Sequence, residues 1–318
     1  MNMWTMTGIA AAVLVLAGCG GNDDDAAARQ AALVARGQQV FRYDTFGDEA
    51  KWTDTLRMHE VIEQAVDPAT ALSVGLKVDA DALPQAVRDG IMNGSIDLKS
   101  PATTLALLKL DAVVGLKGTV ETDANNVAHL RRVGITCALC HSTVDDSFAP
   151  GIGKRRDGWP NRDLNPGAII ALSPAVDAAE KALLQGWGKG FYDPRHNIDH
   201  LNKPVTIPPA YGLDGIHRIT LTGDGDEIAY WNRYVAVTQM GGLGSFSDPR
   251  LPLSVTNGSE DRVGPVLEAL QAYQLSLPAP PAPAGSLSLT RSTLPFVTVS
   301  GNRGSEKVPR PPICVTAT

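Results

Sequence analysis

The sequence predicts a mainly α-helical protein with one large domain over residues 30–277. Residues 26–41 and 261–277 each carry apolar side chains at intervals of three and four, the pattern of a helix with one buried face. Between them, several segments begin with capping residues followed by proline, a common start of helices. A single Cys-x-x-Cys-His motif at residues 137–141 indicates a cofactor around which these helices would pack.

The elements between the first helix and the motif are predicted as a mostly helical insertion over about residues 44–130, packed on one side of the domain. In chain order these elements are a helix over 52–62, a helix over 68–76 with Asp67 as its cap and Pro68 at its first position, a helix opening at 79–84 with Asp81 as its cap, a helix from Ser100, and a short strand and turn over 113–118. After the motif, residues 230–234 and 261–277 are predicted as helices.

The N-terminus has the features of an export signal. Residues 1–18 contain a short apolar run, too short for a membrane span, and Leu16-Ala17-Gly18-Cys19 resembles a bacterial lipobox. We therefore expect a signal peptide over 1–18, lipidation of Cys19 and a polar tether over 19–29. The protein would be exported and attached to a membrane by lipid, facing the periplasm, and Gly20 after the cysteine favours the outer membrane.

The motif is the attachment signature of a c-type haem. Cys137 and Cys140 would add to the two haem vinyl groups as thioethers, and His141 would bind the iron as its proximal ligand. Three alternatives remain open, namely a redox dithiol, part of a zinc site and a local disulfide. The net charge of −6 argues against a nucleic-acid partner.

Three longer segments extend the motif, at residues 44–59, 137–153 and 157–165. With them the chain resembles a proteobacterial group of secreted c-type cytochromes with a class I cytochrome c domain, and more remotely di-haem peroxidases and rubber oxygenases. The resemblance implies one covalent haem c, electron transfer and a redox partner protein. It also implies that the two terminal helices cross at Gly37, with Phe41 and Tyr273 packed at the crossing.

The resemblance further implies a sixth iron ligand, for which Met240 is the candidate because it is the one methionine after His141. A packing role for this methionine is the alternative, and the competing ligands are three histidines, His196, His200 and His217, which we expect to face solvent.

Other residues of these segments are candidates for contacts around the haem. The resemblance implies that the carbonyl of Pro150 accepts a hydrogen bond from the His141 ring. Trp159 and Arg162 would donate to the haem propionates. His59 and Glu60 would reach the haem edge or serve as capping or core residues.

The group usually continues into a second haem domain, and this chain departs from that pattern. Residues 278–286 form a Pro-rich linker, and residues 287–318 contain no second haem motif, which we interpret as a frame-altered tail or a naturally short, disordered one. The first functional hypothesis is an electron carrier. The alternative is a truncated or related di-haem peroxidase or oxygenase whose haem relays electrons or binds oxygen or peroxide, and a third is a lipoprotein whose haem serves folding.

Overall fold

The computed structural model describes residues 21–216, 227–251 and 253–281. It is 44% helical and 17% strand, with small sheets, so the protein has a mixed α/β structure and the prediction of a mainly α fold is wrong. The difference arises from short two-stranded pairings that join the helices and that the helical periodicity did not reveal.

The described helices include two segments of π-helix, Ala50–Thr55 and Val235–Met240, and two short 3₁₀ turns, Ala80–Ala82 and Gly264–Val266. The α-helices are α1 (Gly21–Tyr43), α2 (Met58–Ala65), α3 (Pro68–Ser73), α4 (Gln85–Met92), α5 (Pro101–Lys109), α6 (Ala138–His141), α7 (Pro166–Ile170), α8 (Ala178–Gln185), α9 (His196–Asp199), α10 (Ile228–Tyr234) and α11 (Leu267–Ser276).

The described strands form five two-stranded sheets, four antiparallel and one, β1 with β5, parallel. The longest is the hairpin of β2 and β3, which pairs Leu116 with Ile135 and ends immediately before the haem motif. The strands are β1 (Val78–Asp79), β2 (Leu116–Thr122), β3 (Ala128–Ile135), β4 (Ser142–Val144), β5 (Ile152–Gly153), β6 (Arg155–Asp157), β7 (Phe191–Tyr192), β8 (Val205–Thr206), β9 (Gly244–Asp248) and β10 (Leu253–Asn257).

Helix α1 begins at Gly21, so residues 21–29 of the predicted tether are helical and not an irregular segment. Residues 24–32 are exposed along this helix. Ala-rich sequence favours helix, and the carboxylates of Asp24 and Asp25 lie near the positive end of the helix dipole, which explains a helix without a buried face here.

Helix starts in the insertion are partly as predicted. The side chain of Asp67 accepts a hydrogen bond from the Thr70 amide at 2.7 Å and Pro68 is the first residue of α3, which confirms that cap. The next cap is Asp79, which accepts from the Asp81 amide, so the predicted cap at Asp81 is wrong.

The terminal helices cross as the resemblance implies. A Cβ atom on Gly37 would lie 1.9 Å from the carbonyl oxygen of Ala269, so the backbones of α1 and α11 approach too closely for any other residue. The Phe41 and Tyr273 rings meet edge to face at the same place, with centroids 5.5 Å apart.

The described residues up to Ala279 form one compact unit with two main apolar clusters. The first cluster is built mainly from the insertion, and the half-buried Cys140 packs against it. The second is built from the terminal helices and the segment of Met240, and Cys137 packs against it. The Cys-x-x-Cys-His motif therefore lies at the boundary of the two clusters.

Candidate haem site

The two cysteines are presented by a single turn of helix. Cys137 precedes α6, and the His141 amide donates to the Cys137 carbonyl at 3.2 Å. A Cβ on Gly115 would lie 2.2 Å from Leu139 Cα, so the turn sits directly on the start of the β2–β3 hairpin. Both thiols are free, and no disulfide joins them.

Burial raises the pKa of both the Cys137 and Cys140 thiols to about 12. A redox dithiol needs the opposite shift, because the thiolate is the reactive form and its pKa is lowered at such sites. A zinc site needs further ligands, and among the described residues no group of three or more His, Cys, Asp or Glu side chains assembles. Haem attachment requires only the two thiols and the adjacent histidine, because the porphyrin brings four iron ligands of its own.

The ring of His141 is oriented by a backbone carbonyl. Its Nδ1 atom lies 3.0 Å from the carbonyl oxygen of Pro208, and a carbonyl can only accept, so Nδ1 carries the proton. The lone pair is then on Nε2, which diverges from the Pro208 side of the ring. This is the arrangement that a histidine ligand of a metal requires, since the hydrogen bond fixes the tautomer and makes the ring a better donor.

The predicted partner of this ring was Pro150, and that prediction is wrong. Pro150 is exposed in the turn that joins β4 to β5. Pro208 lies 67 residues after His141 and was missed, although its Pro-Pro pair, 208–209, in a loop is a signal of a rigid extended segment.

The backbone of the motif accepts hydrogen bonds from the loop that follows β6. The Gly158 amide donates to the His141 carbonyl at 2.8 Å, and the Asn161 amide donates to the Cys140 carbonyl at 2.9 Å. Asp157 accepts from Ser142 at 2.7 Å and from the Tyr273 hydroxyl at 2.6 Å, and it pairs with Arg42. The crossing of α1 and α11 is thus bonded directly to the strands that follow His141.

An apolar cavity of about 300 Å³ borders the motif turn, whose Leu139 and Cys140 lie on its wall, whereas Cys137 and His141 do not. Cys140 and Met240 are both on its wall, with aliphatic residues of the first cluster making up most of the remainder. An apolar cavity bordered by an attachment cysteine and a methionine suits a porphyrin, whose faces are apolar and whose iron accepts thioether sulfur. The residues present therefore fit a covalent haem.

Met240 ends the second π-helical segment, and three side chains from two other elements donate to the carbonyls of that segment. Its own carbonyl accepts from the Trp52 indole at 2.9 Å, and the Gln239 carbonyl accepts from the Lys51 ammonium. The Thr238 carbonyl accepts from the Asn197 side chain at 2.6 Å. A buried methionine of fixed position at the cavity wall is the arrangement that a sixth ligand needs.

Two polar features of the cavity were not predicted. Lys51, the one Lys or Arg among its described wall residues, has its pKa lowered to about 8 by burial. His196 also borders the cavity, with Nε2 2.8 Å from a Glu180 carboxylate oxygen, so its predicted exposure to solvent is wrong. His200 is exposed, and His217 lies outside the described residues.

Four other candidates are not on the cavity wall. Trp159 packs on Tyr211, with ring centroids 5.5 Å apart, and Arg162 is exposed. His59 is half-buried, and Glu60 forms a surface ion pair with Arg57. The structure therefore does not bring the predicted propionate donors or this pair to the cavity.

Cys19, the signal peptide, residues 287–318 and most of the linker lie outside the described residues. Within residues 21–216, 227–251 and 253–281, no helix is long and apolar enough to cross a bilayer. Comparisons of the chain with protein-family models, curated proteins and solved structures find no match.

Proposed function

We propose that this protein is a covalent haem-binding electron carrier with one haem c. The observation that carries the proposal is the His141 ring, whose Nδ1 is held by the Pro208 carbonyl on a turn with two free thiols beside an apolar cavity. Met240 lies on the wall of the same cavity. Cys137 and Cys140 would hold the haem covalently, and His141 and Met240 would serve as iron ligands.

Each residue of the site has a distinct task in this proposal. Cys137 and Cys140 hold the group as thioethers, and the Pro208 carbonyl keeps the His141 proton on Nδ1 so that Nε2 serves as the ligand. Trp52 and Lys51 fix the backbone of the Met240 segment, and the aliphatic wall excludes water. When bound, haem supplies a one-electron ferric–ferrous couple, whose potential methionine ligation raises.

A second candidate is oxygen or peroxide chemistry, and one observation favours it. The His196 ring borders the cavity and is held by Glu180 at 2.8 Å and by the Leu201 carbonyl at 3.3 Å, so it would place a fixed imidazole beside bound oxygen or peroxide. This function requires a vacant sixth position on the iron, so Met240 would then serve only as a wall residue.

Location is part of the proposal. Covalent haem attachment takes place outside the cytoplasm, and Cys19 would anchor the exported protein to a membrane through lipid, facing the periplasm, where it would meet a redox partner protein. Radiolabelled palmitate should be incorporated by the wild-type chain and not by a Cys19→Ser variant.

The deciding experiment is expression of the full chain in a bacterium with haem-attachment machinery. Mass spectrometry should find one added haem on the peptide that contains residues 137–141, and the double variant Cys137→Ser/Cys140→Ser should lose it. Cys314→Ser is the matched control and should keep it. Intact protein with free thiols in the motif would exclude the proposal.

The optical spectrum of the same sample separates the two candidate functions. Two observations together support the carrier: a low-spin spectrum of the ferric protein, and a spectrum of the reduced protein that does not change when carbon monoxide is added. A high-spin spectrum that changes with peroxide supports the second candidate.

A further inference from the structure

A cluster of cationic and ring side chains lies outside the haem motif. Three of its members, Arg156, Arg162 and Lys189, are exposed, and the Arg156 guanidinium lies 5.4 Å from the centre of the half-buried Trp159 ring. Trp159 in turn packs on Tyr211. We call Arg156, Arg162, Lys189, Trp159, Tyr211 and the exposed Pro208 the motif surface.

Backbone contacts place these residues together. The Ala210 amide donates to the Gly158 carbonyl at 2.8 Å, which joins the loop of Trp159 to that of Pro208. The Ile207 amide donates to the Gly190 carbonyl at 2.9 Å, and a Cβ on Gly190 would lie 2.9 Å from the Arg162 carbonyl oxygen. Lys189 therefore adjoins both Arg162 and the Pro208 loop.

The motif surface has a short bonded route to the iron ligand. Pro208 is exposed, and its carbonyl oxygen lies 3.0 Å from Nδ1 of His141. One hydrogen bond thus separates a solvent-exposed residue from the imidazole proposed to bind iron. Because electron transfer weakens steeply with distance, a partner seated here would exchange electrons by the shortest route that these contacts offer.

The motif surface carries three exposed cationic side chains on a chain whose net charge is −6. Two carboxylates of the same loop are neutralised from within, since Asp157 pairs with Arg42 and Asp163 pairs with Lys77. The carboxylates that remain nearby are Asp145, which interacts electrostatically with Arg156, and the exposed Asp146 and Asp214. The positive charge of the motif surface comes from Arg156, Arg162 and Lys189.

We propose that the motif surface is the electron-exchange site and that it docks an acidic redox protein. This inference rests on the proposed carrier function. Arginine and aromatic side chains are enriched at the centres of protein interfaces, and opposite charge accelerates encounter. One electron passes between the two proteins, and no atom or proton is transferred.

The test uses small redox ions as probes of the charge at this surface. The reduced holoprotein gives one electron to hexacyanoferrate(III), which becomes hexacyanoferrate(II), and the stopped-flow rate is measured at several salt concentrations. The variant Arg156→Glu/Arg162→Glu/Lys189→Glu is compared with Lys99→Glu/Lys109→Glu/Arg131→Glu. This control changes net charge equally at exposed residues of the insertion and its hairpin.

We expect the motif-surface variant to react roughly tenfold more slowly with the anion at low salt and to lose the acceleration that low salt gives the wild type. The second probe is a cation, hexaammineruthenium(II), which gives one electron to the ferric protein. This reaction should become faster in the same variant. The control variant should change each rate by less than about twofold.

Equal effects of both variants would overturn the proposal, because they would show that only net charge matters. If the triple variant fails to fold, two other measurements test the proposal. They are the rate of Arg156→Gln with each probe and the salt dependence of the wild-type rate with each probe. A wild-type rate that rises with salt for the anion would also contradict the proposal. Absence of haem from the purified protein would instead overturn the proposed function.

Discussion

The indole nitrogen of Trp52 donates a hydrogen bond of 2.9 Å to the carbonyl oxygen of Met240, across 188 positions of sequence. Each residue belongs to one of the two described π-helical segments, and the neighbouring Lys51 bonds to Gln239 in the same contact. Single π-turns inside helices frequently occur at functional sites. The insertion therefore holds in place the methionine that we propose as an iron ligand.

The first prediction concerns that methionine. A weak absorption band near the red end of the visible spectrum, which we call the red-edge band, reports methionine ligation of ferric haem. Met240→Leu keeps the volume of the side chain but removes the sulfur, so we expect it to remove this band and to lower the reduction potential. Optical titration against redox dyes measures both. Met58→Leu is the matched control, because Met58 is buried on the same cavity wall.

The Met58→Leu variant also tests which methionine is the iron ligand. If Met58→Leu removes the band and Met240→Leu does not, the sixth ligand is Met58 and the assignment of Met240 is wrong. If both variants keep it, neither Met240 nor Met58 is responsible for the band, and His196 on the cavity wall becomes the next residue to replace.

The second prediction concerns Trp52. Trp52→Phe keeps an aromatic ring in the core but leaves the buried Met240 carbonyl without its donor, so we expect the free energy of unfolding to fall by about 1–2 kcal/mol. The red-edge band should weaken as the methionine loses its fixed position. Trp231→Phe, at a partly buried tryptophan that packs on Tyr234, should leave the band unchanged, and an unchanged band in Trp52→Phe would refute the positioning role.

The local elements of this fold were predictable where one short segment contains the whole interaction. The cap of α3 is an example, because Asp67 and its partner Thr70 are three residues apart and Pro68 marks the start. The crossing of α1 and α11 was predicted from the resemblance alone, because the spacing of apolar residues gives no partner for a helix face. The contact at Gly37 confirms it.

Long-range contacts were not predictable in this way. The partner of the His141 ring is a backbone carbonyl 67 residues away, and a backbone group has no sequence signature, so the resemblance of residues 148–151 to the family led to Pro150 instead. The β2–β3 hairpin was recognised only as a strand and turn over 113–118. Its turn contains Asn126 in the left-handed region, at φ 63°, which is a turn signal that could have extended the prediction.

The third prediction concerns the helix crossing. Gly37→Ala would place a methyl group against the Ala269 carbonyl and force α1 and α11 apart, so we expect a loss of roughly 2–3 kcal/mol in the free energy of unfolding. Urea denaturation of the holoprotein measures it. Gly186→Ala is the control, since its Cβ would meet nothing closer than 3.2 Å, and a similar loss in both variants would show that the crossing is not the cause.

The last prediction concerns pH. Burial raises the pKa of Asp48 to about 9, and its carboxyl oxygens accept from the Ile135 amide at 3.2 and 3.3 Å. The folded state therefore keeps a proton that the unfolded chain, with an ordinary aspartate pKa, releases above about pH 4. Stability attributable to this group is complete at low pH and declines between about pH 4 and 9, by at most about 1.4 kcal/mol per pH unit.

Asp48→Asn keeps an acceptor for Ile135 without the charge, so urea denaturation at pH 5 to 8 should show a smaller decline than in the wild type. Asp54→Asn, at an exposed residue of the same π-helical segment, should keep the wild-type slope, and an equal slope in all three proteins would show that Asp48 is ionised in the folded state.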